Sequence, residues 1–172
     1  MPRRAIFLIG FMGSGKTTVG QELARRLGWE FVDLDALIER REHSTIPQIF
    51  RERGEAAFRQ AETAALCDFV RAPLAQDSVV ALGGGAFAQK ENRELLHAWP
   101  TVFLEAPPEE LWRRSADDSV ERPLRQDRAQ FESLYRQRLP FYHQASLTVH
   151  TQGKEPASIC LEIETALQLA GA

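Results

Sequence analysis

Cysteine is scarce. Cys67 and Cys160 are the two in a chain of 172 residues. They stand far apart in helix-like apolar stretches, with no C-x-x-C or Cys/His spacing, so buried free thiols are expected rather than a bridge, a reactive site or a metal knuckle. Long apolar runs are missing too. None approaches the ~20 residues of a membrane span, and the run from Ala5 to Ile9 behind Arg3 and Arg4 is too short for a secretion signal. A cytoplasmic protein is expected. Charge of one sign is not in excess: 21 basic residues face 24 acidic ones, and a net charge of -3 offers no bulk attraction to nucleic acid or a membrane surface. Lysine is rare, at Lys16, Lys90 and Lys154, and the other eighteen basic residues are arginines, whose planar fork suits carboxylates and phosphates. Asparagine occurs once, as Asn92 followed by Arg93, so an N-K-x-D guanine site is absent and a GTP-dependent switch is argued against.

What remains is an ordinary composition, 44% hydrophobic and 26% charged, in a length that suits one domain over residues 1–172. The chain is organised around Gly10-Phe11-Met12-Gly13-Ser14-Gly15-Lys16-Thr17. This G-x-x-x-x-G-K-[ST] spacing lets the backbone wrap closely, so that successive N–H groups and a helix N-terminus converge on phosphate oxygens. Lys16 supplies a point charge to the β- and γ-phosphates and the Thr17 hydroxyl a ligand to Mg²⁺. A glycine-rich turn with an incidental Lys-Thr is the plain alternative, and the flanking strand and helix patterns argue against it.

Further buried strands are read at residues 30–33, 78–82, 101–105 and 147–150, alternating with helical patterns at 18–27, 36–42, 55–70, 91–98, 109–114, 130–139 and 156–169. Ser44 or Thr45 can cap a helix with Pro47 in its first turn, and Gly54 interrupts that helix. Continuous apolar strands alternating with helices predict an α/β fold, a parallel sheet covered on both faces. Ligands of such sheets bind beyond the carboxyl ends of the strands. That places the glycine loop, Asp33, Asp35 and the glycine triplet Gly83-Gly84-Gly85 on one rim. The triplet carries no side chain to obstruct a ligand and permits positive φ. The polar stretch 115–124 lacks any period and is the candidate mobile lid.

Asp33 is the candidate carboxylate to hold Mg²⁺ through water, its plain alternative being a helix N-terminal acid that complements the dipole. Asp35 is the candidate group to orient an alcohol and accept its proton during phosphoryl transfer, its alternative an N-cap. Arg59 and Glu62 read by pattern as an ordinary i,i+3 ion pair. Arg138 reads as a solvated helix charge and Arg122 as an exposed loop arginine.

Taken as an ordered set, the glycine loop, Asp33-Leu34-Asp35, Phe58-Arg59 with Glu62, Gly83-Gly84-Gly85, Arg122-Pro123-Leu124 and the segment 135–142 resemble the shikimate kinases over nearly the whole chain. The resemblance implies a P-loop kinase with a three-layer α/β/α fold, strand order 2-3-1-4-5 and a mobile lid. Its activity would be ATP-dependent phosphorylation of shikimate at the 3-hydroxyl, with Mg²⁺, by a cytoplasmic monomer. It implies an acceptor region at about 34–62, a carboxylate grip by Arg59 and Arg138, hydroxyl contacts from Asp35 and Gly84, with Gly83 and Gly85 also at the substrate, and a buttress at Glu62. It also implies ATP contacts from Gly13, Ser14, Gly15, Lys16, Thr17 and Thr18, from Arg114 and the lid's Arg122, and from Lys154 in a loop matching the adenine site. A kinase for gluconate or a nucleoside monophosphate shares loop and lid but lacks the combination of Arg59, triple glycine and Arg138.

Overall fold

The structure, a computed structural model, describes residues 4–72, 76–116 and 127–169. Five short strands, β1 (Ala5–Ile9), β2 (Glu30–Asp33), β3 (Ser78–Ala81), β4 (Thr101–Glu105) and β5 (Leu147–His150), form one sheet in the order β2-β3-β1-β4-β5. Every neighbouring pair is parallel, with Leu8 opposite both Ala81 and Val102. The expected strand order holds. The three inner strands are buried along all but the last residue of β4, whereas β2 and β5 at the edges are only partly covered.

Alternation along β1 divides the core in two. Ile6 and Leu8 point to one face, where α1 (Lys16–Leu27) and α7 (Pro156–Ala166) deliver Val19, Leu23, Ile159 and Ile163. Phe7 and Ile9 point to the other, against α2 (Leu34–Glu42), α3 (Ile46–Arg71), α4 (Lys90–Leu95), α5 (Pro108–Ala116) and α6 (Arg128–Tyr142). Phe7 is fully buried, with Phe69 and Trp99 edge-on to its ring at 6.1 and 5.9 Å. Truncating such a ring to alanine costs about 3–5 kcal/mol.

Local chemistry sets the element ends. Thr45 caps α3 in a reciprocal box with Gln48, and Pro47 sits in the first turn. At Gly54 the backbone leaves the helix with φ 84° and ψ 170°, a conformation that a side chain would strain, and α3 bends there. The bend brings Phe50 to 4.9 Å from Phe58 across the two arms. The helix α2 starts at Leu34 because Asp33 caps it: Asp33 Oδ1 accepts from the N–H groups of Asp35 and Ala36 at 2.9 and 3.3 Å. Capping therefore falls to Asp33 and not to Asp35.

Several boundaries differ from the sequence reading. The helix α4 ends at Leu95 because Leu96 has already turned out of helical geometry, and a 3₁₀ turn at Ala86–Ala88 precedes it. In the other direction α6 continues through Pro140 to Tyr142. Pro140 lies in the last turn, so its missing N–H forgoes one intrahelical bond, to the Arg136 carbonyl, just before the helix ends. Of the stretch expected as a lid, Ser115 and Ala116 belong to α5, and 117–124 lie outside the described residues. Among the described residues no helix is long and apolar enough to cross a membrane.

Candidate active site

The glycine loop joins β1 to α1 at the carboxyl edge of the sheet. Gly15, the residue before α1, has φ 89° and open space where a side chain would stand, so the backbone itself forms the bowl. Lys16 lies in it: its ammonium donates to the carbonyls of Gly10 and Phe11 at 2.6 and 3.2 Å and to Ser14 Oγ at 3.4 Å. Ser14 is buried, and Thr17 and Thr18 in the first turn of α1 are exposed.

Facing the loop across the end of β3 is the glycine triplet, and it is packed against charge. A side chain at Gly83 would meet Asp35 Oδ1 at 2.8 Å and Glu62 Oε2 at 3.1 Å; one at Gly84 would meet Arg138 Nη1 at 3.4 Å. At Gly85 it would collide with the Arg59 guanidinium, 2.4 Å from Nη2. None of the three has positive φ. The triplet is thus required for close approach by the protein's own charged groups, and the conformational freedom anticipated for it goes unused. Gly84 also borders the phosphate loop, since its missing side chain would stand 3.8 Å from the Gly10 carbonyl and 3.9 Å from Met12 N. Asp35, Glu62, Arg59, Arg138 and the loop therefore share one crevice.

Each charged group is held from its own element. Arg59 donates to Glu62 at 2.9 Å with its guanidinium 5.0 Å from the Phe58 ring, and Glu62 is fully buried. Arg138 on α6 is buried, 5.6 Å from the Phe11 ring. Tyr142, one turn further along α6, is buried and donates its hydroxyl proton to the Gly84 carbonyl. Phe11, Phe58 and Tyr142 gain no role from sequence reading. The available signals were adjacency, for Phe58 beside Arg59, and a four-residue spacing, for Tyr142 after Arg138.

Burial governs the electrostatics. Removal from water, reinforced by the nearby Asp33 and Glu62 carboxylates, pushes the Asp35 carboxyl up to about 7. Burial likewise raises Glu62 above the ordinary carboxylate range, against the pull of Arg59 and Arg138. Among the described residues Asp35 Oδ1, Glu62 Oε2 and Asn92 Oδ1 are buried polar side-chain atoms with no hydrogen-bond partner, and the first two face Gly83. Such atoms are costly unless a ligand or water satisfies them.

At the other end of the loop Arg114 passes beside Gly13, donates to Glu110 at 2.9 Å and reaches Thr151 Oγ1 at 3.4 Å. Lys154, in the turn after β5, pairs with Glu162 of α7 at 2.7 Å. Arg122 lies outside the described residues. Asp33, with one oxygen engaged in the α2 cap, stands at the end of β2 beside the crevice.

Comparison with known proteins gives the family. The family model for shikimate kinase matches residues 12–168. A shikimate kinase of Moorella thermoacetica is 43% identical over 167 residues, covering 95% of this chain and 94% of the relative. The solved shikimate kinase from Acinetobacter baumannii in complex with shikimate superposes with a TM-score of 0.88 at 36% identity, over 99% of this chain and 96% of that one. That from Aquifex aeolicus gives 0.82 at 37%, over 95% and 96%. On these grounds, the chain belongs to the shikimate kinase family.

Proposed function

We propose that the protein transfers the γ-phosphoryl group of ATP to the 3-hydroxyl of shikimate, giving shikimate 3-phosphate and ADP on the route to aromatic amino acids. The observation that carries this reading is the meeting of two guanidinium groups and a buried carboxylate on three successive glycines, one of which borders the phosphate loop. Bidentate N–H pairs of Arg59 and Arg138 fix the acceptor's carboxylate. The hydroxyl is then aimed across Gly84 at the loop, where Lys16 leaves the Gly10 and Phe11 carbonyls for phosphate oxygens. Asp35 orients that hydroxyl and takes its proton as the oxygen–phosphorus bond forms and the bond to ADP breaks. A carboxyl held near 7 has the proton affinity for a reversible exchange at neutral pH. Glu62 holds Arg59 at the correct angle.

The donor set suits Mg²⁺: Thr17 offers an exposed hydroxyl, and Asp33 keeps one carboxylate oxygen beyond its cap for a water-mediated contact. When bound, that ion neutralises charge building on the transferring group. Among the described residues no cluster of three or more His, Cys, Asp or Glu side chains could hold a metal. This suits an ion carried mainly by nucleotide oxygens. Arg114, beside Gly13 and Thr151, would stack on the adenine, and Lys154 adds a charge beyond β5. The enzyme works as a cytoplasmic monomer.

Release of ADP against shikimate, quinate, gluconate and AMP tests the assignment. Turnover with shikimate should exceed that with each of the others by orders of magnitude. Equal or faster turnover with gluconate or AMP would overturn it.

A further inference from the structure

Phe11 occupies a position of the phosphate loop where nucleotide binding uses backbone N–H groups and asks nothing of the side chain. Its ring is fully buried and turned away from the bowl of the loop, onto α6. It stands edge-on to Phe131 at 4.9 Å and to Tyr135 at 5.4 Å, and its centroid is 5.6 Å from Arg138 Cζ. Those three residues lie on successive turns of one face of α6. Tyr142 follows one turn further along the same face. A phenol has one proton, and here it goes to the carbonyl of Gly84, the glycine whose missing side chain would stand 3.4 Å from Arg138 Nη1. Burial pushes this phenol up to about 12, so the proton stays in place across the working range of pH.

We propose that Phe11 and Tyr142 are positioning residues for the acceptor: together they seat the Arg138 guanidinium in the orientation that receives the substrate carboxylate. The inference rests on the reading of Arg138 as the carboxylate ligand. It assigns to one residue of the nucleotide loop a function in recognising the other substrate. The seat has two walls. The aromatic face of Phe11 ties the guanidinium to the loop. The bond from Tyr142 to Gly84 fixes the glycine on which the guanidinium lies, so that its remaining N–H edges have one direction to offer a ligand.

The test compares Phe11→Leu, Tyr142→Phe and Arg138→Ala in the full-length enzyme, with KM for shikimate and for ATP measured separately. Tyr142→Phe keeps the ring and the core volume, so it tests the seat even where Phe11→Leu folds poorly. The expected result is a rise in the shikimate KM of about three- to tenfold for Tyr142→Phe, the worth of a buried hydrogen bond to a backbone carbonyl. For Phe11→Leu it is roughly three- to tenfold, the worth of a partly desolvated cation–π contact. The ATP KM should stay within about twofold in both. In an Arg138→Ala background neither substitution should add to the loss. A Phe11→Leu enzyme impaired for ATP and unimpaired for shikimate would overturn the proposal, as would a lowered melting temperature with no separation of the two KM values. If Arg138→Ala leaves the shikimate KM unchanged, the carboxylate reading itself fails. If Arg138→Ala raises it and the other two do not, only the seat fails.

Discussion

Two arginine–glutamate pairs with the same three-residue spacing sit on opposite faces of the sheet. On α1, Glu22 and Arg25 meet at 2.7 Å with Arg25 70% exposed. On α3, Arg59 and Glu62 meet at 2.9 Å with Arg59 13% and Glu62 0% exposed. The outer pair places glutamate before arginine, the order that suits the helix dipole. The inner pair has the reverse order. Their carboxyls respond in opposite directions: the Arg25 hydrogen bond holds Glu22 below its ordinary value, whereas burial pushes Glu62 above it in spite of Arg59. Desolvation therefore wins in the crevice and ion pairing wins on the surface. A helix gains nothing by burying such a pair in the less favourable order. Its placement is what the acceptor contact proposed for Arg59 requires.

The largest effect should come from the carboxylate between the two halves of the site. Asp35→Asn should lower kcat by about 10² to 10⁴ with ATP affinity nearly unchanged, measured by turnover and by nucleotide titration. The same variant should be more stable, and the sign follows from linkage. With a folded value near 7 against 3.8 for the free group, the native protein keeps a proton that the unfolded chain has released. Stability carried by this group is complete below about 4 and is lost as pH rises towards and through 7. Urea unfolding at pH 5 and pH 8 should therefore show a smaller fall for Asp35→Asn than for the wild type. An equal fall in both would remove Asp35 as the source, and the part that remains belongs to Glu62, which shifts in the same direction.

Next comes the inner pair itself. Arg59→Ala should raise the shikimate KM by about 100-fold and destabilise the fold by about 3 kcal/mol, because Glu62 then stays buried without its partner. Arg59→Ala with Glu62→Gln should recover stability without recovering affinity. If affinity returned together with stability, the guanidinium would be a strut and not a ligand.

A scan of the triplet should give smaller and separable effects. In each case the obstructing atom is the far end of a flexible side chain, so the fold can yield while the site cannot. Gly83→Ala displaces Asp35 and should act on kcat. Gly85→Ala displaces Arg59 and should act on the shikimate KM. Gly84→Ala, with 3.4 Å to Arg138, should be the mildest. A uniform loss with a common drop in melting temperature would instead mean that the triplet serves the backbone.

How much of this was legible depends on how far apart the cooperating residues lie in the chain. The phosphate loop is one contiguous motif and reads directly. Buried inner strands read as apolar runs, but their order does not, since β1 finds β3 through Ala5 opposite Ser78. The Arg59–Glu62 spacing reads correctly as an ion pair and says nothing of burial, which is imposed by Gly83, Gly85 and α6 from elsewhere in the sequence. Asp33 and Asp35 both read as possible caps, and only the start of α2 at Leu34 separates them. The crevice as a set was accessible through the resemblance to shikimate kinases. The seat under Arg138 was not, because it needs the direction of the Phe11 ring.

The smallest effect belongs to the outer pair, and it decides what the comparison means. Arg25→Ala removes a contact whose charges are already largely hydrated, and the lost attraction is returned by water and salt. Activity should be unchanged with either substrate, and the melting temperature should stay within the error of a thermal scan. The control has force because spacing, residue types and contact distance match those of Arg59 and Glu62 closely. A loss of stability comparable to that of Arg59→Ala would mean that pairing matters wherever it occurs. With the expected result, burial outweighs the less favourable order of the inner pair, and burial in turn is set by three glycines that make room for charge.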